Sequence, residues 1–291
     1  MKKITAFASA ALALCALRLS AAEPAHVYRA EAGIANSTYG ERAGTFGAKD
    51  NFSVGGAHIH NSLDLMYSEN SENAVTDNFT RLSELLVVKT ENFRFSGLVR
   101  SLYYKDGDMG NNFQYFAFIE RQVKISGAYT LDFGLVFTDM FVYNRIYPGP
   151  VFFPLMACTY RTPSSVVRIG LPTLLMYKAP KWSTGFSYTM MFNSKIFLKW
   201  MPSSLVSLEL FTDTVRYQIA VGDPKRDEVL NIFYAGIFLE ASLYMGEHTA
   251  FSLCGGYNFL ERRWTGDQLS IMTASQKAGS YKLKGALSFM F

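Results

Sequence analysis

The last eleven residues, Tyr281 to Phe291, read YKLKGALSFMF and decide the fold. Every second position carries an aromatic, apolar or small residue, namely Tyr281, Leu283, Gly285, Leu287, Phe289 and Phe291. The positions between them carry Lys282, Lys284, Ala286 and Ser288. Because successive side chains of a strand point to opposite faces, this stretch predicts a β-strand with one face suited to lipid and the other to water.

The chain ends on an aromatic residue that has apolar residues two and four places before it. A terminal strand of this kind resembles the closing strand of bacterial outer-membrane barrels. The resemblance implies that the barrel assembly machinery of that membrane recognises the strand. The predicted signal residues are Tyr281, Leu283, Leu287, Phe289 and Phe291.

Residues 1–22 have the three parts of a secretory signal peptide. Lys2 and Lys3 come first, an apolar stretch from Ile4 to Leu17 follows, and small residues end the segment before Glu23. The apolar stretch is too short to span a bilayer as a helix. We therefore predict that this leader is cleaved during export.

The three cysteines do not define a site. Cys15 lies inside the leader, and the bulky Leu14 before it argues against the alternative, a lipoprotein cut at Cys15. Cys158 and Cys254 remain in the mature chain, and nothing in the sequence shows whether they pair. Neither a metal site nor a disulfide framework follows from two cysteines without partners.

The composition favours a barrel over a helical membrane protein. Hydrophobic residues make up 49% and aromatic residues 15%, yet the mean hydropathy is only +0.07. Helical spans would show runs of about 20 apolar residues, whereas barrel strands alternate apolar and polar ones. Without Lys2, Lys3 and Arg18 of the leader, 25 basic residues face 24 acidic ones, and no basic run predicts a nucleic-acid partner.

The same alternation recurs upstream of the last strand. The clearest segments are 54–67, 126–138, 166–177, 229–244 and 247–260. Short polar or Gly/Pro-bearing turns are predicted at 90–92, 178–182, 201–204 and 245–247. Longer links are predicted at 68–78, 105–112, 139–164, 222–228 and 261–279. Barrels of the outer membrane combine short periplasmic turns with longer external loops.

Alternation of short and long links gives a strand count. If 139–164 is one long external loop, strands begin near residues 54, 79, 93, 113, 126, 166, 183, 195, 205, 229, 247 and 281. The fold predicted is an all-β, closed, antiparallel up-and-down transmembrane barrel of about 12 strands, within roughly 10 to 14, with periplasmic termini. The short link 192–194 and a change of apolar phase within 205–221, typical of a bulge, strain this count.

The domain prediction follows from that count. Residues 1–22 are the cleaved signal peptide, 23–52 a periplasmic N-terminal segment or plug, and 53–291 the barrel. A further strand near 27–34 is the alternative for part of the N-terminal segment.

Charged residues of both signs fall on the predicted lumen face. The pore-lining candidates are His58, His60, Asp64, Arg94, Arg100, Glu120, Asp132, Arg168, Glu209, Arg216, Glu240, Lys282 and Lys284. Such residues either line a solute pathway or pair with one another inside a filled barrel. The sequence leaves both interpretations open.

His58, His60 and Asp64 share one strand face at spacings that metal ligands adopt, but successive polar lumen residues need no metal. An outer-membrane lipid hydrolase would use Ser, His and Asn on one wall. Here Asn61 lies on the face opposite to the histidines and Ser62. We therefore predict no enzyme, no metal and no cofactor.

The stretch from Arg168 to Trp264 resembles an uncharacterised, porin-like family of bacterial outer-membrane barrels. The segments that carry the resemblance are Gly170-Leu171-Pro172, Lys181-Trp182, Trp200-Met201-Pro202-Ser203-Ser204, Gly255-Gly256-Tyr257 and Glu261-Arg262-Arg263. The resemblance implies a barrel in the outer membrane and brings no catalytic residues.

The predicted function is passive passage of small polar solutes through a porin-like channel. The alternative is a non-conducting structural or adhesin-like barrel, since the aromatic link 139–164 and the basic link 261–279 have the composition of binding surfaces or of a lid. A lipid hydrolase is the weaker alternative. The predicted partners are outer-membrane lipid, the assembly machinery and small solutes.

Overall fold

The computed structural model describes residues 27–36, 41–70, 79–104, 113–138, 151–188, 193–220, 229–246, 248–265, 275–277 and 279–290. Within these ranges no helix is long and apolar enough to cross a membrane. The predicted signal peptide and Phe291 lie outside the described residues, as do most of the longer links.

In the described ranges seventeen strands form one antiparallel sheet. The first nine are β1 (Val27–Asn36), β2 (Glu41–Val54), β3 (Ala57–Asn70), β4 (Phe79–Lys89), β5 (Phe93–Tyr104), β6 (Phe113–Lys124), β7 (Tyr129–Thr138), β8 (Val151–Arg161) and β9 (Ser165–Ile169). The others are β10 (Thr173–Lys178), β11 (Trp182–Tyr188), β12 (Ser194–Ser203), β13 (Val206–Ala220), β14 (Val229–Tyr244), β15 (Thr249–Thr265), β16 (Ser275–Lys277) and β17 (Ser280–Met290).

The sheet closes into a barrel. Consecutive strands pair from β1 to β15, β15 pairs with β17, and β17 pairs with β1. The three residues of β16 pair with β15 just beyond the β15–β17 ladder, so they extend β17 and add no wall position. The wall therefore has 16 strands. The predicted closed antiparallel barrel is confirmed.

The predicted strand number, about 12, is wrong, and three stretches account for the difference. Residues 27–36 and 41–54 form wall strands rather than a periplasmic segment or plug. Gly and Ala fill many of their positions and weaken the contrast between the two faces. Residues 151–161, predicted as part of an external loop, form β8 even though Pro154 lacks a donor for the ladder.

The third stretch is the predicted strand 166–177, which is two strands joined by Gly170-Leu171-Pro172. Odd-numbered residues point outward on both sides of this turn, so the alternation continues through it unchanged. Counting β8 and splitting this segment each reverse the chain direction once. Omitting β8 and reading 166–177 as one strand therefore left the predicted alternation of short and long links unchanged.

The two ends of the barrel differ. One end, called the turn end, carries the tight turns, including Gly55 and Gly56 with φ of 54° and 81°, values that glycine adopts readily. Val27 lies opposite Met290, so both ends of the described chain lie there too. The longer links, mostly outside the described residues, connect strands at the other end, called the loop end. The described residues therefore begin and end at the turn end, and the periplasmic position of the chain termini stays a prediction.

The outer face, on which Glu84 and Arg121 are exposed charged residues, is largely apolar and framed by aromatic side chains. Near the turn end these are Phe93, Tyr129, Tyr160, Tyr177, Trp182 and Trp200, and near the loop end Tyr115, Phe137, Phe152, Tyr257 and Tyr281. Aliphatic residues between them are exposed, among them Val99, Ile119, Leu135, Leu198, Leu239 and Leu253. An aliphatic band between two aromatic girdles is the lipid-facing surface of a transmembrane barrel.

The β9–β10 hairpin is short, with strands of 5 and 6 residues, and the neighbouring β11 has 7 described residues. On β7, Tyr129 and Phe137 mark the two girdles and lie eight residues apart, about 26 Å along the strand. On β10, Tyr177 belongs to the turn-end girdle, and the strand begins only four residues before it, at Thr173. The β9–β10 hairpin therefore reaches only about half the height of the apolar band.

Candidate functional site in the lumen

The inner face carries the charged candidates predicted from the sequence. Register and exposure place eleven described side chains on it: His58, His60, Asp64, Arg94, Glu120, Asp132, Arg168, Glu209, Glu240, Lys282 and Lys284. Arg100 and Arg216 lie in β5 and β13, but their side chains are outside the described residues. That these residues line a pore remains a prediction.

A buried ion cluster, called the Arg168 cluster, joins β5, β6, β7 and β9. Arg168 Nη2 donates to Glu120 Oε2 at 2.6 Å, and Nη1 donates to Asp132 Oδ2. Arg94 lies 3.7 Å from the other oxygen of Glu120. Glu120 and Asp132 are only 2% and 1% exposed, so both carboxylates depend on these cations.

The Arg168 cluster also holds the short hairpin. Arg168 Nε donates to the carbonyl of Pro172 at 3.0 Å, and Thr159 donates to Asp132 at 3.1 Å. One guanidinium thus connects the hairpin tip with two wall strands. A side chain at Gly134 would have its Cβ only 3.0 Å from Glu120 Cβ, so glycine leaves the room in which Glu120 lies along the wall.

A second ion cluster, called the Glu31 cluster, lies across β1, β2, β14 and β17. Glu31 is 3% exposed and faces Lys49 at 3.3 Å, Arg29 at 3.4 Å and Lys284. Arg29 also pairs with Glu240 at 3.2 Å. Gly47 lies opposite Glu31 and makes room for its side chain, as Gly134 does for Glu120.

A cavity of about 390 Å³ lies beside the Glu31 cluster. Five carboxylates and two lysines contribute to its lining: Glu31, Asp64, Asp213, Glu240, Glu261, Lys282 and Lys284. Aromatic residues Phe211, Tyr234 and Phe238 form part of the same wall. Lys282 Nζ lies 4.8 Å from the centre of the Tyr234 ring, so this cation is held against an aromatic face.

Another sector of the inner wall is apolar. It is formed by Phe118, Val136, Phe153, Leu155, Leu174 and Met176 and is called the apolar sector. Phe118 and Val136 are buried, with 4% and 0% exposure. Within this sector Phe118, Val136 and Phe153 lie closer to the loop end than the Arg168 cluster, whereas Leu174 is level with Arg168 and Met176 lies closer to the turn end. The sequence predicted only charged residues on the lumen face, so this apolar sector was not predicted.

Several inward charges were also missed. Arg29, Glu31 and Lys49 belong to the stretch predicted as a periplasmic segment, and Lys195 and Asp213 lie in strands predicted correctly. The alternation of Arg29 and Glu31 with Ala30 and Ala32 was the available signal. Lys195 pairs with the predicted Glu209 at 2.6 Å.

The two histidines do not converge on one site. His58 Nδ1 lies 2.6 Å from Ser53 Oγ, and His60 Nδ1 lies 2.6 Å from Asn51 Oδ1. Ser62 instead donates to Asp64 at 3.3 Å. Among the described residues, no group of three or more His, Cys, Asp or Glu is placed to hold a metal ion. Cys158 faces outward and Cys254 inward, and both are free thiols.

The closed wall, the girdled apolar band and the charged inner face define a transmembrane β-barrel of the bacterial outer membrane. The predicted class and location are thereby confirmed. Short turns lie on the periplasmic side in barrels of this class, so a periplasmic turn end and an external loop end remain the prediction.

Solved structures of outer-membrane barrels align with nearly the whole chain. A channel from Pseudomonas putida F1 covers 93% of this chain and 97% of its own, with 9% identity and a TM-score of 0.38. The NalP translocator domain from Neisseria meningitidis covers 100% and 98%, with 12% identity and a TM-score of 0.40. OpdK from Pseudomonas aeruginosa covers 92% and 98%, with 9% identity and a TM-score of 0.35. Similarity this low indicates no function for the chain.

No protein-family model and no curated protein sequence matches the chain.

Proposed function

We propose that the protein is a porin-like channel for passive passage of small polar solutes. The observation that carries the proposal is the charged cavity inside a wall of 16 strands. Barrels of this size have room for an aqueous channel, whereas the smallest barrels are filled by their own side chains. In each of the two ion clusters the charged groups pair with one another along the barrel wall.

Planar-bilayer conductance of the refolded protein tests this proposal directly. We expect discrete insertion events, each followed by a stable ohmic conductance. A preparation that inserts into the bilayer, as shown by its protection from protease in vesicles, and yet gives no conductance would contradict the channel function.

The cavity charges predict how ion selectivity changes on substitution. Asp213→Asn removes a carboxylate and Lys282→Gln removes a cation from the same cavity. Because fixed charges at a constriction favour counter-ions, the two changes should shift the cation-to-anion permeability ratio in opposite directions, each by roughly twofold. The reversal potential in a KCl gradient measures the shift. Lys124→Gln, a change at an exposed residue near the turn end, is the matched control and should leave the ratio unchanged.

Shifts of the same sign for Asp213→Asn and Lys282→Gln would show that ions do not pass along this cavity.

We also infer that β17 serves as the assembly signal. Tyr281, Leu283 and Leu287 lie on its exposed outer face, which leaves them available to the assembly machinery and afterwards to lipid. Phe289 is half-buried, and Phe291 lies outside the described residues.

A further inference from the structure

Asp213 differs from the other carboxylates of the cavity beside the Glu31 cluster. Those of Glu31, Glu240 and Asp64 form ion pairs or hydrogen bonds with the wall, and Glu261 is fully buried, with 0% exposure. Asp213 lines the same cavity, and within the described part of the chain it makes no hydrogen bond and no ion pair. Because polar groups in such places normally have partners, this carboxylate is available to a ligand.

Lys282 approaches Asp213 from the other side of the cavity. It belongs to β17, yet its Nζ lies 4.8 Å from the centre of the Tyr234 ring and 5.8 Å from that of the Phe238 ring, both on β14. Gly256 of β15 pairs with Phe238 and with Lys282, and it permits this crossing because it has no side chain. The charge of Lys282 therefore acts on Asp213, but the two groups do not form an ion pair with each other.

Lys195, another cation whose charge acts on Asp213, is bound to a different carboxylate. Its Nζ donates to Glu209 at 2.6 Å and lies 4.2 Å from the centre of the Phe211 ring. Asp213 and Lys282 are thus a carboxylate and an ammonium that face one cavity without touching. This arrangement suits a ligand that brings an ammonium to the first and a carboxylate to the second.

The wall beside Asp213 is aromatic. Phe211 precedes Asp213 by two residues on the same face of β13, about 7 Å along the strand, and its ring centre is 5.3 Å from that of Phe238. Phe238 and Tyr234 are 7% and 9% exposed, whereas Phe211 is half-buried and lines the cavity. A ligand bound to Asp213 would therefore have an apolar surface within reach of its side chain.

The two charges select against ligands with a single charge. A cation that reached Asp213 would be repelled by Lys282, and an anion that reached Lys282 would be repelled by Asp213. A zwitterion avoids both penalties, because its ammonium donates to Asp213 while Lys282 donates to its carboxylate. Lys282 can do this and stay against the Tyr234 ring, since an ammonium has three N–H donors.

We propose that this cavity binds a zwitterionic α-amino acid with an apolar side chain. The ammonium of the ligand lies on Asp213, its carboxylate on Lys282 and its side chain against Phe211. The inference rests on the proposed function, since it names the class of solute that the channel takes into this cavity. The cavity volume of about 390 Å³ lies within the range of about 300–1,000 Å³ that is usual for small-molecule sites.

Calorimetric titration of the refolded protein in detergent micelles tests the site without requiring conductance. The probes are L-phenylalanine, 3-phenylpropanoate, which lacks the ammonium, and 2-phenylethylamine, which lacks the carboxylate. We expect L-phenylalanine to bind about tenfold more tightly than either analogue, because each analogue leaves one charged group of the cavity without its hydrogen bond. Equal affinity for the three probes, or no binding of L-phenylalanine, would overturn the proposal.

Substitution of each charged group should affect a different pair of probes. Asp213→Asn should weaken L-phenylalanine and 2-phenylethylamine by about tenfold and leave 3-phenylpropanoate no weaker than before. Lys282→Gln should weaken L-phenylalanine and 3-phenylpropanoate by about the same factor and leave 2-phenylethylamine no weaker. An equal loss for all three probes in both variants would contradict the assigned contacts.

Two matched controls accompany these variants. Asp50→Asn changes a carboxylate on the outer face of β2, and Lys124→Gln changes an exposed cation near the turn end. Neither should alter the affinity of any probe. If a cavity variant fails to fold, the comparison of the three probes on the natural protein still decides.

Planar-bilayer recordings separate this inference from the proposed function. A barrel that conducts but does not bind L-phenylalanine would contradict the amino-acid site alone. A barrel that binds L-phenylalanine but gives no conductance would contradict the channel function alone.

Discussion

Replacing Arg168 with methionine is expected to lower the free energy of unfolding by about 3–5 kcal/mol. The substitution leaves Glu120 and Asp132, which are 2% and 1% exposed, without their shared cation. Methionine has a similar volume, so the loss reports the buried charges and not a cavity. Denaturant titration of the refolded protein in lipid vesicles, followed by tryptophan fluorescence, measures the difference.

Two further variants interpret that result. Lys124→Met breaks an exposed pair with Glu91, whose 3.1 Å contact should contribute less than about 1 kcal/mol. Asp132→Asn in the Arg168→Met background removes the carboxylate that loses its ion-pair partner there, since Glu120 keeps Arg94 at 3.7 Å, and should restore part of the stability. An Arg168→Met loss no larger than that of Lys124→Met would contradict a buried cluster.

The second large effect is expected on the lipid face. Phe133 lies midway between the girdle residues Tyr129 and Phe137 of β7 and is 47% exposed. An arginine at the bilayer midplane costs about 2–4 kcal/mol, and one near the interface about 0–1 kcal/mol. Phe133→Arg should therefore destabilise the protein by about 2–4 kcal/mol beyond Phe133→Ala, in the same vesicle titration.

Tyr129→Arg is the depth control for this prediction, because it is the same change on the same face of the same strand. It should cost clearly less than Phe133→Arg. Equal costs at the two positions would mean that the aliphatic band does not mark the hydrocarbon core.

The alternation of apolar and polar residues within single strands predicted the closed antiparallel barrel correctly. Alternation in β17, β14 and β15 identified lipid and lumen faces, and the tight turns gave the direction of the strands. The predicted strand number was wrong where the contrast between apolar and polar positions was weak, or where a turn left the alternation unchanged. In β1 and β2 small residues occupy both faces, and at Gly170-Leu171-Pro172 the turn preserves the odd parity of outward residues.

The sequence predicted which residues face the lumen but not which of them come together in a site. Parity placed Glu120, Asp132 and Arg168 on the inner face, and the structure brings them together. Their proximity depends on the register of four neighbouring strands, from β6 to β9, and two of these were not predicted correctly.

The seam between β1 and β17 has a consequence for biogenesis. It joins Val27 to Met290, so the ring closes across a separation of roughly 260 residues. Contacts so distant in sequence form slowly, and until they form the sheet has two open edges that other chains can pair with. The barrel can therefore be completed only after the whole chain has been delivered. Until then the chain must be kept from aggregating.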